Sequence, residues 1–164
     1  MDNLIVLMST YQRHHCKTFT KLTHVAGVPC IVFALQLLLF WIHPFMGWLV
    51  TLLLLGYYFF LDVMLATVTA IFLLPLTCVA QKMVAGASNI FIFSWFLIIF
   101  AGGWILQLLG HYVEGKRPAF TENFFQVFVA PIFLVGELLF VLGYKRKLQK
   151  DIIALSHIQQ SIDK

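Results

Sequence analysis

Charge is scarce in this chain. Lys and Arg number 11 and Asp and Glu 7 among 164 residues, 11% in all, where a soluble domain carries roughly 25%. Hydrophobic residues make up 61% and aromatics 16%. A soluble chain of this length cannot hide so much apolar surface, so an ordinary water-soluble domain is excluded. Cysteine is scarce too. Cys16, Cys30 and Cys78 form no CxxC or paired pattern, which leaves no thiolate metal site and no ground for disulfides. Cys30 and Cys78 lie in apolar runs and are expected as buried small residues. No phosphate loop, nucleophile elbow or HExxH is present, and each of those soluble catalytic signatures is thereby set aside. The start, Met1-Asp-Asn, is not basic, and Leu4–Met8 is a short apolar stretch with no small-residue cleavage site after it. A cleaved signal peptide is not expected. No internal repeat, low-complexity tract or flexible linker divides the chain, and its length fits one domain.

What the chain does have is long apolar runs. Five can be read, over about 25–42, 46–61, 63–80, 90–109 and 124–142. A spanning helix needs about 20 apolar residues, with a range near 17–25. The second run is short, and tilt or local thinning would accommodate it. His43-Pro44 reads as a turn, Asp62 separates the second run from the third, and Gln81–Ser88 links the third to the fourth. Basic residues gather at the two ends: Arg13, Lys17 and Lys21 precede the first run, and Lys145, Arg146, Lys147 and Lys150 follow the last. That asymmetry predicts both termini on the cytoplasmic side. It also names anionic headgroups, rather than nucleic acid, as partner of the basic clusters.

Five full spans would put the basic ends on opposite sides. The fifth run also carries Gln126, Pro131, Gly136 and Glu137, and proline and an intramembrane acid both weaken a spanning assignment. The expected fold is therefore an all-α integral membrane protein of four transmembrane helices. To these are added a re-entrant or tilted segment over 124–142, read as a pair of half-helices, and a surface tail over 145–164. The tail places Leu148, Ile152, Leu155 and Ile158 at near-helical spacing after a basic start, as in a helix lying on a membrane. Glu137 is expected as the most buried acid, with Asp62 as a turn residue.

The candidate chemistry lies at the end of the fourth run. Gln107, His111 and Glu114 are spaced i, i+4, i+7 and share one face of a helix. In the four-span topology they fall on the same side as His15 and His24, and Tyr11 and His15 share a face where that region is helical. Histidines from separate helix ends suit iron, zinc or copper. Spacing alone equally allows interfacial histidines touching headgroups, with Glu114 pairing Arg117 at i+3.

Two ordered motifs carry a resemblance. Tyr11-x3-His15-x8-His24-x2-Gly27-x-Pro29 is followed by Gln107-x2-Gly110-His111-x2-Glu114-x2-Arg117-Pro118-Ala119. With Asn123 and Ala130-Pro131-x-Phe133-x3-Glu137, the chain resembles the Mpo-type membrane family, the 2-hydroxy fatty acid dioxygenases of fungal phytosphingosine breakdown and their bacterial relatives. Where that family has an asparagine four residues before the second histidine, this chain has Thr20. The resemblance implies an Fe2+-dependent α-oxidation that uses dioxygen to shorten a 2-hydroxy fatty acid by one carbon. It implies His15, His24 and His111 as metal ligands, with Glu137 in reserve, and Glu114, Arg117 and Tyr11 as catalytic residues. Lys116 and Arg117 would meet the substrate carboxylate. The membrane would be a bacterial inner membrane or the endoplasmic reticulum. Two other readings stay open: a non-catalytic lipid-binding or small transport protein, and a zinc-dependent lipid hydrolase.

Overall fold

The computed structural model describes residues 2–121 and 123–162, and among these every regular element is helical. The helices are α1 (Asp2–Arg13), α2 (Thr18–Ile42), α3 (Pro44–Leu61), α4 (Val63–Val84), α5 (Asn89–Glu114), α6 (Gln126–Val141) and α7 (Arg146–Ile162), with a 3-10 turn over Ala119–Thr121. α2 to α5 are each long and apolar enough to cross a membrane. Their outward faces carry large apolar side chains, among them Phe60, Ile71, Ile90 and Ile98, as lipid contact requires.

Short turns fold these four helices up and down. His43 accepts from Phe45 N–H at 3.1 Å to start α3, and Asp62 accepts from Leu65 N–H at 3.0 Å to start α4. Both therefore act as the turn residues expected, each as an N-cap. Ser88 does the same for α5. Inside the bundle, Gln36 Nε2 donates to Thr77 Oγ1 at 2.6 Å, and Thr51 sits beside them. These are interhelical polar contacts of the kind that hold membrane helices together.

α2 and α5 approach most closely, and glycine is the reason. A Cβ on Gly103 would stand 2.7 Å from Ile31 Cγ1 and 3.0 Å from Gly27 O, and one on Gly110 would collide with Thr23 Oγ1. Bare backbone there lets the two helices meet face to face.

Several expectations shift. α2 begins at Thr18, seven residues before the expected start at Val25, so His24 lies inside the helix and not at its mouth. α1 is a further helix in a region given no element from sequence; Leu4, Met8 and Tyr11 bury its inner face. Segment 124–142 is not two half-helices. α6 runs unbroken through Pro131, and the chain bends by 120° between α6 and α7. Gly143 (φ 85°) and Lys145 (φ 54°) make that turn in the left-handed region. A proline costs a helix the hydrogen bond to residue i−4, and here α6 is held from outside. Tyr58 OH donates to Phe128 O at 2.6 Å, and Gly136 lies against Met8 and Leu65. α7 also differs from a free surface helix: it packs along α1, burying Ile152 and leaving Ile158 exposed. Cys78 is exposed on the outer face of α4, and Cys30 is half-buried, so neither is the fully buried residue expected; all three cysteines are free thiols.

Candidate metal centre

His15, His24 and His111 converge at the end of the bundle where α2 begins and α5 ends. One ring nitrogen from each lies within 4.8 Å of the others. The residues are 1%, 2% and 6% exposed. Each comes from a different element: His15 from the turn after α1, His24 from the second turn of α2, His111 from the last turns of α5.

The rings are fixed before any ion arrives. His15 Nδ1 stands 2.7 Å from Tyr11 O, and His24 Nδ1 stands 2.7 Å from Thr20 O. A carbonyl only accepts, so both Nδ1 atoms carry the proton and both Nε2 atoms present a lone pair. Those two Nε2 atoms are 2.9 Å apart. Two lone pairs facing one another repel, and a cation between them reverses the sign. Two nitrogens each about 2.1 Å from one metal stand at most about 4.2 Å apart, a limit the His15–His24 pair meets. His111 Nδ1 is buried with no hydrogen-bond partner. Three imidazoles are a donor set that first-row metal ions take, and a shift of the His111 ring toward the other two would close it around one ion. His15 stacks flat on Tyr11, centroids 4.0 Å apart and planes at 1°. Burial first, then the neighbouring His24, lowers the His15 pKa to about 2. It is neutral at physiological pH, as a ligand must be.

Glu114 does not join the ring of nitrogens. Oε1 accepts from Cys16 N–H at 3.1 Å, while Oε2 accepts from Lys17 N–H at 3.0 Å and from Thr20 Oγ1 at 2.7 Å. The carboxylate thus caps the start of α2 from α5, where Lys17 supplies no side-chain cap. It locks the His15 turn, the His24 helix and the His111 helix together. Thr20 is the centre of this lock: its hydroxyl also lies 3.1 Å from Gly110 O, and its carbonyl holds His24.

The other sequence candidates lie elsewhere. Glu137 pairs with Lys21 at 2.7 Å and is half-buried, so Glu114 and Asp62 are the more buried acids. Glu114 binds α2 rather than Arg117, and Arg117 is exposed. Lys116 Nζ donates to Arg13 O at 2.8 Å. Neither basic residue lines the cavity that opens on the histidines.

A cavity of about 90 Å³ opens on the histidines. Tyr11, Gln107, Pro118, Ala119 and Gln126 surround its polar end. Val28, Ile31, Leu35 and Trp104 carry it into the bundle. From His24 to Leu35 on α2 is about 16 Å, at 1.5 Å per residue. A metal centre with an apolar channel rising into the membrane is the arrangement for an amphiphile whose polar end reacts.

The family model described as 2-hydroxy-palmitic acid dioxygenase Mpo1-like matches residues 1–142. The chain belongs to the Mpo1-like family. Among curated relatives, the 2-hydroxy-palmitic acid dioxygenase MPO1 of Saccharomyces cerevisiae is 45% identical over 53 residues, 31% of this chain and 30% of the yeast protein. The alignment thus spans under a third of that relative's length. No solved structure matches. Family membership agrees with the motif pair read from the sequence. Sequence reasoning assigns Gln126 and Trp104 no site role; Gln126 reads there as a polar interruption of an apolar run, and nothing local signals that the fold turns it into the cavity.

Proposed function

We propose that this protein is an Fe2+-dependent dioxygenase that shortens 2-hydroxy fatty acids by one carbon at the membrane surface. One observation carries the reading: three buried histidines, two of them oriented by backbone carbonyls, stand at the floor of an apolar cavity inside a bundle of membrane-length helices. Iron held by His15, His24 and His111 would supply dioxygen activation and leave coordination positions open for substrate. The rest is done by the protein. The cavity takes the polar end and the first carbons of the acyl chain, and the rest lies along the apolar flank of α2 toward Leu35. Tyr11, whose phenol burial keeps protonated by raising its pKa, covers one face of His15 and borders the reacting end. Glu114 positions the ligands instead of acting as a base. Arg117, exposed beside Pro118 at the rim, draws the carboxylate toward the mouth. By the charge rule both chain ends face the cytoplasm, in a bacterial inner membrane or the endoplasmic reticulum.

A three-histidine set also suits zinc, which keeps a zinc-dependent lipid hydrolase as the second reading. Metal analysis of the purified protein, with dioxygen uptake on a 2-hydroxy fatty acid, separates the two. The expected result is about one iron per chain and uptake that requires the substrate. His111→Ala should abolish both while the protein still inserts in the membrane. Full metal content in His111→Ala, or turnover that proceeds equally without dioxygen, sinks the proposal.

A further inference from the structure

A second cavity, of about 610 Å³, lies between α2, α4 and α6. It is far larger than the cavity of about 90 Å³ at the histidines, and the proposed chemistry does not use it. The two stand back to back, with Val28 and Val32 of α2 lining both. Along α2 the second cavity runs from Thr18 to Val32, about 21 Å at 1.5 Å per residue. One leaflet of hydrocarbon is about 15 Å deep, half of the ~30 Å core. The cavity therefore starts at headgroup level, at the end of the bundle where α2 begins, and rises through one leaflet. Phe72, Leu76 and Leu134 keep its walls apolar. An outward apolar face alone needs no site to explain it, because bulk lipid covers it. This face is concave, and it carries charge at one end only.

That charge is Lys21 and Glu137, the only charged groups among the described residues that line the cavity. Their side chains are 27% and 21% exposed, so a ligand can reach both. Lys21 Nζ donates to Glu137 Oε2 at 2.7 Å. An ammonium carries three hydrogens and a carboxylate two acceptor oxygens. Among the described residues the two side chains make no other hydrogen bond, which leaves two ammonium hydrogens and Oε1 open. A ligand that brings an anion to Lys21 and a cation to Glu137 adds to both without breaking the pair. We propose that this cavity binds a membrane phospholipid bearing a primary ammonium. The phosphate accepts from Lys21, the ammonium donates to Glu137, and one acyl chain fills the cavity as far as Val32. A quaternary ammonium has no N–H to donate, and a head without an amine leaves Glu137 facing only negative charge. The head therefore sets which lipid is held, and the apolar walls hold its chain. This site is separate from the metal centre and stands whether or not the dioxygenase reading holds.

The test is native mass spectrometry of the full-length protein, released from nanodiscs that hold phosphatidylethanolamine, phosphatidylcholine and phosphatidylglycerol in equal amounts. Wild type should retain one lipid per chain, with phosphatidylethanolamine favoured about tenfold over either of the others, the scale of one hydrogen bond between charged groups. Glu137→Gln should reduce that preference to about twofold or less. Leu134→Trp, which fills the cavity from α6, should remove bound lipid of every head type. Leu76→Trp fills it from α4 and serves if the first variant does not fold, as circular dichroism would show. Lipid retained in proportion to the bilayer composition, no retained lipid in wild type, or full retention in a folded tryptophan variant overturns the site. An unchanged preference in Glu137→Gln overturns the role given to the head.

Discussion

Thr20 decides more at this site than its size suggests. Its hydroxyl donates to Glu114, and its carbonyl sets the His24 tautomer. Thr20→Val keeps the shape and the carbonyl but strips the hydroxyl. A lost hydrogen bond to a buried carboxylate costs about 1.5–3 kcal/mol. Loss of a contact that orients ligands typically weakens metal binding about 10–100-fold. Competition with a chelator should show Thr20→Val in that range. Thr20→Asn, which substitutes the family residue, should hold iron at least as well as wild type. The sequence shows Thr20 as a departure from a pattern and the three histidines as a plausible set. It does not show that a side chain 94 positions away waits for that hydroxyl. Pairings of this kind depend on how two helices cross, and no local pattern encodes the crossing.

At the scale of the element, the crossing of α2 and α5 is the determinant. Gly27, Gly103 and Gly110 lie in the contact, and the proposed ligands His24 and His111 sit one turn or less from it. A large side chain at Gly103 must push α5 off α2, since Ile31 and the Gly27 carbonyl leave no room. Gly103→Leu is expected to keep a helical, membrane-inserted protein that has lost most of its iron, as circular dichroism beside metal analysis would show. Retained stoichiometric iron would place the ligands elsewhere. The spans α2 to α5 are legible because about 20 apolar residues have one explanation. α1 is not, because Leu4, Met8 and Tyr11 read as a short apolar patch until partners cover them; those partners, α6 and α7, come at the other end of the chain. α6 is misread for a related reason. Pro131 argues for a break when the helix is considered alone, and the contacts to Tyr58, Met8 and Leu65 that hold it straight are all remote in sequence.

For the whole molecule, two ion pairs tie the last third of the chain to the bundle. Lys21 meets Glu137, and Lys145 meets Asp62 at 2.6 Å across the α3–α4 turn. Burial alone would raise the Asp62 pKa, but the hydrogen bond from Lys145 and that from Leu65 N–H outweigh it, and the net shift is downward. A carboxyl lowered in the folded state stabilises above its ordinary value of 3.8. That contribution fades as pH falls below it. Thermal melts between pH 7 and pH 3 should therefore show an acid limb that Lys145→Met flattens, with lower stability at neutral pH. An unchanged profile would mean the pair contributes nothing. The two pairs are invisible to sequence reasoning, which sees Asp62 as a turn former and Glu137 as a candidate ligand and has no means of joining either to its lysine.

The order in which the histidines occur along the chain sets a timetable. His15 precedes the first span, His24 lies in its opening turns, and His111 closes the fourth. Spans enter a bilayer in the order of synthesis, so the first two histidines wait through three further helices for the third. Glu114, which fastens the early pair, arrives only three residues after His111. A partly made chain thus offers two imidazoles, each oriented by a carbonyl four residues earlier, but neither the third histidine nor the carboxylate lock. The three-histidine site is therefore assembled only when α5 is in place, as the last step in building the four-span bundle that contains it.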